Sequence, residues 1–391
     1  MCGIHRRAAR EWTRVAQRWW TAPIVSPSPV LPDYAGANVR GIVPALLAPR
    51  GVSAPAWMPT EVNGAKQVVL LVLDGLGWEQ LRERAAVAPT LAAMHGRAIT
   101  TVAPSTTSTA LTSIATGLTP GEHGVVGYRM DIAGEVLNVL RWSTGSGDAR
   151  RQIEPRTTQP FTPFLGETVP VVSKAELEGS AFTEAHLRGS RPRGWRAASS
   201  LAVTVGELLA SGEHFVYAYY DGIDKIAHER GFGPYYDAEL RAADALVAQV
   251  LEVLPPGAAL LVTADHGQVE TGDRVVSPHA DVMAHVRHQS GEGRFRWLHA
   301  RPGAAADLLS AARERHGDVA WVHSRAELIE AGWFGAVVSP PVAARYGDVA
   351  LVPHAPITFH DPADSGPFQL ICRHGSLTSA EMLVPLLAAT R

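Results

Sequence analysis

Cysteine is nearly missing from this chain: 391 residues contain two, Cys2 and Cys372. One lies near the N-terminus and the other in an apolar run, so a disulfide framework is not expected. Charge is also sparse. Asp, Glu, Lys and Arg make up 19% of residues and nearly cancel, leaving a formal net charge of −3. That balance provides no general basic field for a nucleic-acid polymer. Any anionic substrate has to be held by local features such as metal ions. No apolar run reaches the roughly 18 residues that would suggest a membrane span. The basic start, MCGIHRRAAREWTRVAQRWW, is not followed by the apolar stretch of a secretory leader, so a cytoplasmic location is expected. There are no internal repeats or low-complexity segments.

What is present is a globular composition, with 46% apolar residues. The length suits one large domain with an insertion, or two domains. Residues 1–40 read as a tail and linker. Arg6 to Trp20 has an amphipathic helical pattern, and Pro23, Pro27, Pro29 and Pro32 follow among small residues. From residue 41 onward, short apolar runs alternate with helical segments such as Ser200–Leu209 and Tyr236–Val253. The runs are Val68–Leu73, Phe215–Tyr220, Ala258–Thr263 and Phe368–Cys372. Strands buried on both faces look like this, which predicts an α/β fold with a mostly parallel central sheet covered by helices on both faces. Residues 280–350 break the rhythm and read as a cap inserted into a 41–391 domain, with ordinary continuation of the sheet as the alternative.

Each apolar run ends in polar residues. Asp74 follows the first, Asp221 and Asp224 the second, Asp265 and His266 the third, and His374 the fourth. Ligands in open α/β sheets bind at the carboxyl ends of strands, so four separated segments are expected to converge. Asp74-Gly75 is either a cation ligand or the start of a turn. Asp224 and His228 stand four residues apart, and their oxygen and imidazole donors suit zinc or a similar metal, with Asp221 competing for the same role. Asp265 and His266 beside an apolar run are costly to bury unless paired or metal-bound. His374 repeats the pattern of strand, His-Gly and helix start. Thr378 and Glu381 after it resemble a capping box for a final helix. Ser105 to Thr109 place five hydroxyls at a probable helix start. They are either caps or include a nucleophile placed where free N–H groups and the helix dipole favour a phosphate. Lys225 suits substrate binding or solvent. His123, His279 and His354 suit structural or exposed positions.

Taken in order, these motifs resemble the alkaline phosphatase superfamily, and within it the nucleotide pyrophosphatase/phosphodiesterase branch, over about residues 65–390. The resemblance implies two divalent ions, zinc by preference with manganese or iron as alternatives. One would be held by Asp74, Thr107, Asp265 and His266, the other by Asp224, His228 and His374. Alignment of PSTTSTALTSIATGL with the branch's motif makes Thr107 the nucleophile and the Ser108 backbone N–H an oxyanion donor. The branch commonly has Asn where this chain has Ala110, and Tyr128 is a candidate for base stacking. The implied activity is hydrolysis of phosphodiester or pyrophosphate bonds in a small phosphorylated substrate through a phospho-threonine. A phosphomonoesterase, a phosphonate hydrolase and a non-catalytic metal- and phosphate-ligand-binding protein are the alternatives.

Overall fold

The computed structural model describes residues 27–49, 52–364 and 369–391. Arg6 to Trp20, whose pattern allows a short amphipathic helix but which reads first as a frayed tail, lies outside the described residues. The central sheet is built from β1 (Gln67–Leu73), β2 (His95–Thr100), β3 (Pro170–Lys174), β4 (Arg191–Trp195), β5 (Phe215–Tyr220), β6 (Ala258–Thr263) and one late strand, Leu383–Thr390. Its order is β2, the late strand, β6, β1, β5, β3, β4. From β6 to β4 all neighbours run parallel, and the late strand is antiparallel to both β6 and β2.

The apolar runs explain the order. Val69 to Leu73 and Leu260 to Val262 are fully buried, as strands with helices over a parallel sheet must be. Each such Val or Leu contributes about 1.5–3 kcal/mol on leaving water. Three of the four runs read from sequence are therefore strands of this sheet. The helices include α1 (Thr107–Thr116), α2 (Ser199–Ala210), α3 (Gly222–Arg230) and α4 (Pro234–Val253), with α4 packed on α2 and α3.

The fourth run behaves differently from expectation. Its described part gives only a two-residue strand, Cys372–Arg373, paired with Val269–Glu270 outside the central sheet. The place belongs instead to Leu383–Thr390, a stretch expected to be helical. The helix begun at Thr378 lasts four residues, Ser379–Met382. Pro385 cannot sit in a helix interior, and the apolar run around it is better buried in the sheet.

Residues 286–353 form a second, antiparallel sheet from β7 (Val286–Glu292), β8 (Phe295–Ala300), β9 (Ala320–Ser324) and β10 (Val349–Pro353), in the order β7, β8, β10, β9. Numbered with these, the late strand Leu383–Thr390 is β11. Helix α5 (Ala305–His316) covers a separate small core containing Leu298, Leu308 and Leu351. A third, smaller sheet of short strands spans 129–148. Among the described residues no helix is long and apolar enough to cross a membrane.

One buried ion pair joins the second sheet to the segment before β11. Arg294, in the turn between β7 and β8, donates from Nε and Nη2 to the two carboxylate oxygens of Glu381 at 3.0 and 2.7 Å, and both side chains are fully buried. Glu381 also accepts from the Ser376 amide at 3.0 Å. Its predicted role as a helix cap has given way to this fork, which is bidentate and charge-assisted. Removing one partner leaves a buried charge without compensation. Glu381→Ala is expected to cost about 3–5 kcal/mol in urea unfolding, whereas the double change Arg294→Met with Glu381→Leu should recover most of that loss.

Candidate active site

The carboxyl ends of β1, β5 and β6 open onto one region. Asp74 leaves β1 and is followed by Gly75, whose φ of 74° reverses the chain. A Cβ at Gly75 would press on Asp224 and Gln268, so both the turn and the close approach need glycine. The Gly75 amide donates to Asp265 Oδ1 at 3.1 Å, which ties the end of β1 to the end of β6. Past β5, α3 carries Asp224 and His228 one turn apart on one face, with His228 Nε2 3.2 Å from Asp224 Oδ1.

Thr107 is the first residue of α1, with Thr106 at the N-cap. No side chain caps this helix. The Thr106 hydroxyl instead donates to Glu292 Oε2 at 3.1 Å. The opening N–H groups, those of Thr107 and Ser108 among them, have no intrahelical acceptor and carry the positive end of the dipole. The Ser108 hydroxyl donates away from this point, to the Gly127 carbonyl at 3.0 Å. Thr107 Oγ1 lies 3.0 Å from His266 Nε2.

His266 is the hinge of the site. Its Nε2 is 3.5 Å from Asp74 Oδ1 and 3.4 Å from Asp265 Oδ2, and its ring stacks on His374 with centroids 3.6 Å apart. His374 Nε2 is 3.9 Å from Asp224 Oδ1. The remaining ring nitrogens are held by carbonyls: His266 Nδ1 by Gly267 at 3.1 Å, His228 Nδ1 by Cys372 at 2.7 Å and His374 Nδ1 by Ser105 at 3.0 Å. This leaves each Nε2 facing inward, the arrangement that fixes imidazole ligands. All seven residues expected from the sequence thus meet. Two tight donor groups stand out, Asp74 with Asp265 and His266, and Asp224 with His266 and His374. His228 sits at the outer edge, its ring 5.2 Å from that of His374.

Asp221, the competitor of Asp224, is occupied elsewhere, pairing with Lys174 at 3.3 Å and with Lys225. The unassigned histidines have structural partners. His123 is fully buried between the Ser113 hydroxyl and the Val125 amide, and burial lowers its pKa to about 3. His279 accepts from the Asp281 amide, and His354 packs near Trp321. Sequence reasoning missed Tyr219, whose hydroxyl donates to Asp74, and Glu292, which reaches the site from the end of β7. Neither lies in a motif.

The electrostatics are unfavourable in the absence of a cation. Burial lifts the carboxyls of Asp74, Asp265 and Asp224 above the usual range, with the neighbouring carboxylates adding to the shift at Asp74. Burial also holds the His266 and His374 imidazoles below the usual histidine range. Two carboxylates within 4.8 Å repel by about 3 kcal/mol or more at an effective dielectric constant of 20. Asp74 Oδ1 and Asp265 Oδ2 are buried without a hydrogen-bond partner among the described residues. Unpaired oxygens beside neutral imidazoles are the donor set a divalent cation requires.

Two cavities flank this point and share Thr107, Leu140, Asp224 and Lys225. One is lined with polar groups that include Tyr128, Arg141 and Arg373. The other places Leu111, Phe182 and Leu187 beside Ser173, Ser180 and His186.

In fold the chain is similar to mouse ectonucleotide pyrophosphatase/phosphodiesterase 5, at 14% identity and a TM-score of 0.61, over 83% of this chain and 88% of that one. The human counterpart gives 15% identity with the same coverage and TM-score. Phosphonoacetate hydrolase from Sinorhizobium meliloti 1021, solved with phosphonoformate, gives 18% identity and a TM-score of 0.61 over 83% of this chain and 90% of that one. No curated protein matches the chain in sequence. The fold is that of the alkaline phosphatase superfamily of phosphoester hydrolases. Within it, the family profile "Type I phosphodiesterase / nucleotide pyrophosphatase" matches residues 68–377, and the chain belongs to that family, whose members are metalloenzymes.

The crowding of carboxylates has a measurable consequence. In EDTA, Asp265→Asn is expected to melt about 1–2 °C higher than the wild type, because one repelling charge is gone. The rise in Tm that added zinc gives should be smaller in the variant than in the wild type. Differential scanning fluorimetry reads both effects.

Proposed function

We propose that the chain is a metal-dependent hydrolase of phosphodiester or pyrophosphate bonds that works through a phospho-threonine at Thr107. The observation that carries this reading is the position of the Thr107 hydroxyl, 3.0 Å from His266 Nε2 at the uncapped start of α1. Two divalent ions fit the donors, with Asp74, Thr107, Asp265 and His266 for one and Asp224, His228 and His374 for the other. When bound they supply Lewis acidity and neutralise charge on the phosphoryl oxygens.

The residues of the chain then have distinct tasks. Thr107 Oγ1 attacks phosphorus in line with the leaving oxygen, forming an O–P bond as the ester bond breaks. The Ser108 N–H, at the positive end of the helix, donates to a non-bridging oxygen as charge builds there. Carbonyl partners keep the three imidazoles oriented throughout. Water then cleaves the phospho-threonine and restores the hydroxyl. The two cavities meeting at Thr107 give separate room to two substituents on phosphorus, which favours a diester or pyrophosphate over a monoester. An inactive threonine-to-alanine form of the mouse relative was solved with AMP, which fits a threonine-dependent site for a nucleotide.

A phosphonate hydrolase is the second reading, favoured by the likeness to phosphonoacetate hydrolase and by Ala110 standing where the branch commonly has Asn. A substrate comparison separates the two. Bis-p-nitrophenyl phosphate is expected to turn over faster than p-nitrophenyl phosphate, and phosphate release from phosphonoacetate is expected to be negligible. The reverse order would transfer the assignment to the second reading.

The nucleophile has its own test. Thr107→Ala should lower kcat by at least ~10³-fold while metal content stays near that of the wild type. Undiminished turnover in a clean preparation would sink the role of Thr107.

A further inference from the structure

Asp131, His288 and His299 lie apart from the site described above, and none of them lines either cavity beside Thr107. Asp131 belongs to the first strand of the small 129–148 sheet, and the two histidines belong to β7 and β8. The register of β7 and β8 pairs His288 with His299 directly. Their rings stack with centroids 4.0 Å apart and an interplanar angle of 15°.

The donor atoms converge. His288 Nε2 is 2.7 Å from Asp131 Oδ2, and His299 Nδ1 is 3.9 Å from the same oxygen. One ligand atom from each residue lies within 4.8 Å of the other two. Asp131 Oδ1 is held by the Gly134 amide at 2.7 Å, and His299 Nε2 meets the Ser290 hydroxyl at 2.8 Å. These contacts orient the carboxylate and turn His299 Nδ1 towards it. Asp131 and His299 are buried, while His288 is partly exposed.

A plain His–Asp hydrogen bond accounts for His288 but leaves His299 unexplained. Its Nδ1 points at an oxygen too distant for a hydrogen bond and makes no other among the described residues. Ligands at zinc–nitrogen and zinc–oxygen distances of about 2.0–2.2 Å stand about 3.3 Å apart in a tetrahedron. The observed 2.7 and 3.9 Å lie on either side of that value, so shifts of well under an ångström would suffice. The exposed Arg287 contacts His288 Nδ1 at 3.3 Å and can turn into solvent when that nitrogen carries the proton.

We propose that Asp131, His288 and His299 form a metal site distinct from the one around Thr107, suited to zinc, with water as fourth ligand on the His288 side. Two imidazoles and one carboxylate match the preferences of that ion. The site ties the 129–148 sheet to β7 and β8 across 157 residues of chain. Its effect is on stability, because an ion that binds only the folded form shifts the folding equilibrium.

The test compares zinc content by mass spectrometry after dialysis against zinc-buffered solution, for wild type, His299→Ala and His288→Gln. Each variant is expected to hold one ion fewer per chain, with turnover of the nitrophenyl diester unchanged. His288→Gln keeps an amide donor for Asp131 at a partly exposed position, so it remains informative if His299→Ala fails to fold. It should melt lower than the wild type in zinc but alongside it in EDTA. Zinc content equal to that of the wild type in folded His288→Gln would overturn the proposal. The difference between proteins carries the result, so it stands or falls independently of how many ions the Thr107 site holds.

Discussion

The arrangement at the carboxyl edge of the central sheet depends on charge that cannot stay unpaired. Buried Asp74 and Asp265 are gathered with His266, His374 and the partly buried Asp224, and one oxygen each of Asp74 and Asp265 faces no donor among the described residues. An apolar sheet interior would pay heavily for such groups without a cation or a shared proton. The surrounding structure works to hold them in place regardless: the Gly75 turn, the amide-to-carboxylate contact between β1 and β6, and three carbonyls that fix the imidazoles. Such a cost in stability is the pattern expected where a site is held ready for a ligand.

The same edge suits a threonine to the proposed role of nucleophile. A hydroxyl in the middle of a helix has no reason to be reactive, but Thr107 opens α1 where the N–H groups lack acceptors. Thr106, the natural capping residue, is drawn away to Glu292, so the helix start stays free for an anion. Glu292 comes from β7, in the second sheet. That sheet therefore takes part in shaping the site, and the buried Arg294–Glu381 pair next to it anchors the connection.

Much of the candidate site was legible in the sequence because its donor residues follow a simple rule. Apolar runs with no polar interruption can only be buried strands, and the polar residues just past them must emerge at one edge of a parallel sheet. Asp74, Asp265 and His266 followed from that rule directly. Asp224 and His228 needed the four-residue spacing that places them on one helix face. His374 does stand with the other donors, although the run before it is not the strand its pattern suggests. The strand before it is two residues long and outside the central sheet, while β11 completes the sheet from a segment read as helix. A short apolar run has no decisive period, and Pro385 is the one local mark against a helix there.

The sequence by itself determined the α/β class, the parallel arrangement of the main strands and the family, since these rest on local patterns and on motifs in a fixed order. It also supplied Thr107, though only among five neighbouring hydroxyls until the motif was aligned. Tertiary structure alone decided which carboxylate faces the imidazoles, because Asp221 is bound by two lysines from different elements while Asp224 meets His228 and the Gln268 amide. It alone brought Tyr219 and Glu292 to the site and Asp131 to the His288–His299 pair. Those contacts join residues far apart along the chain. Their energy comes from burial and pairing that exist only once the sheets have packed, so no local pattern can announce them.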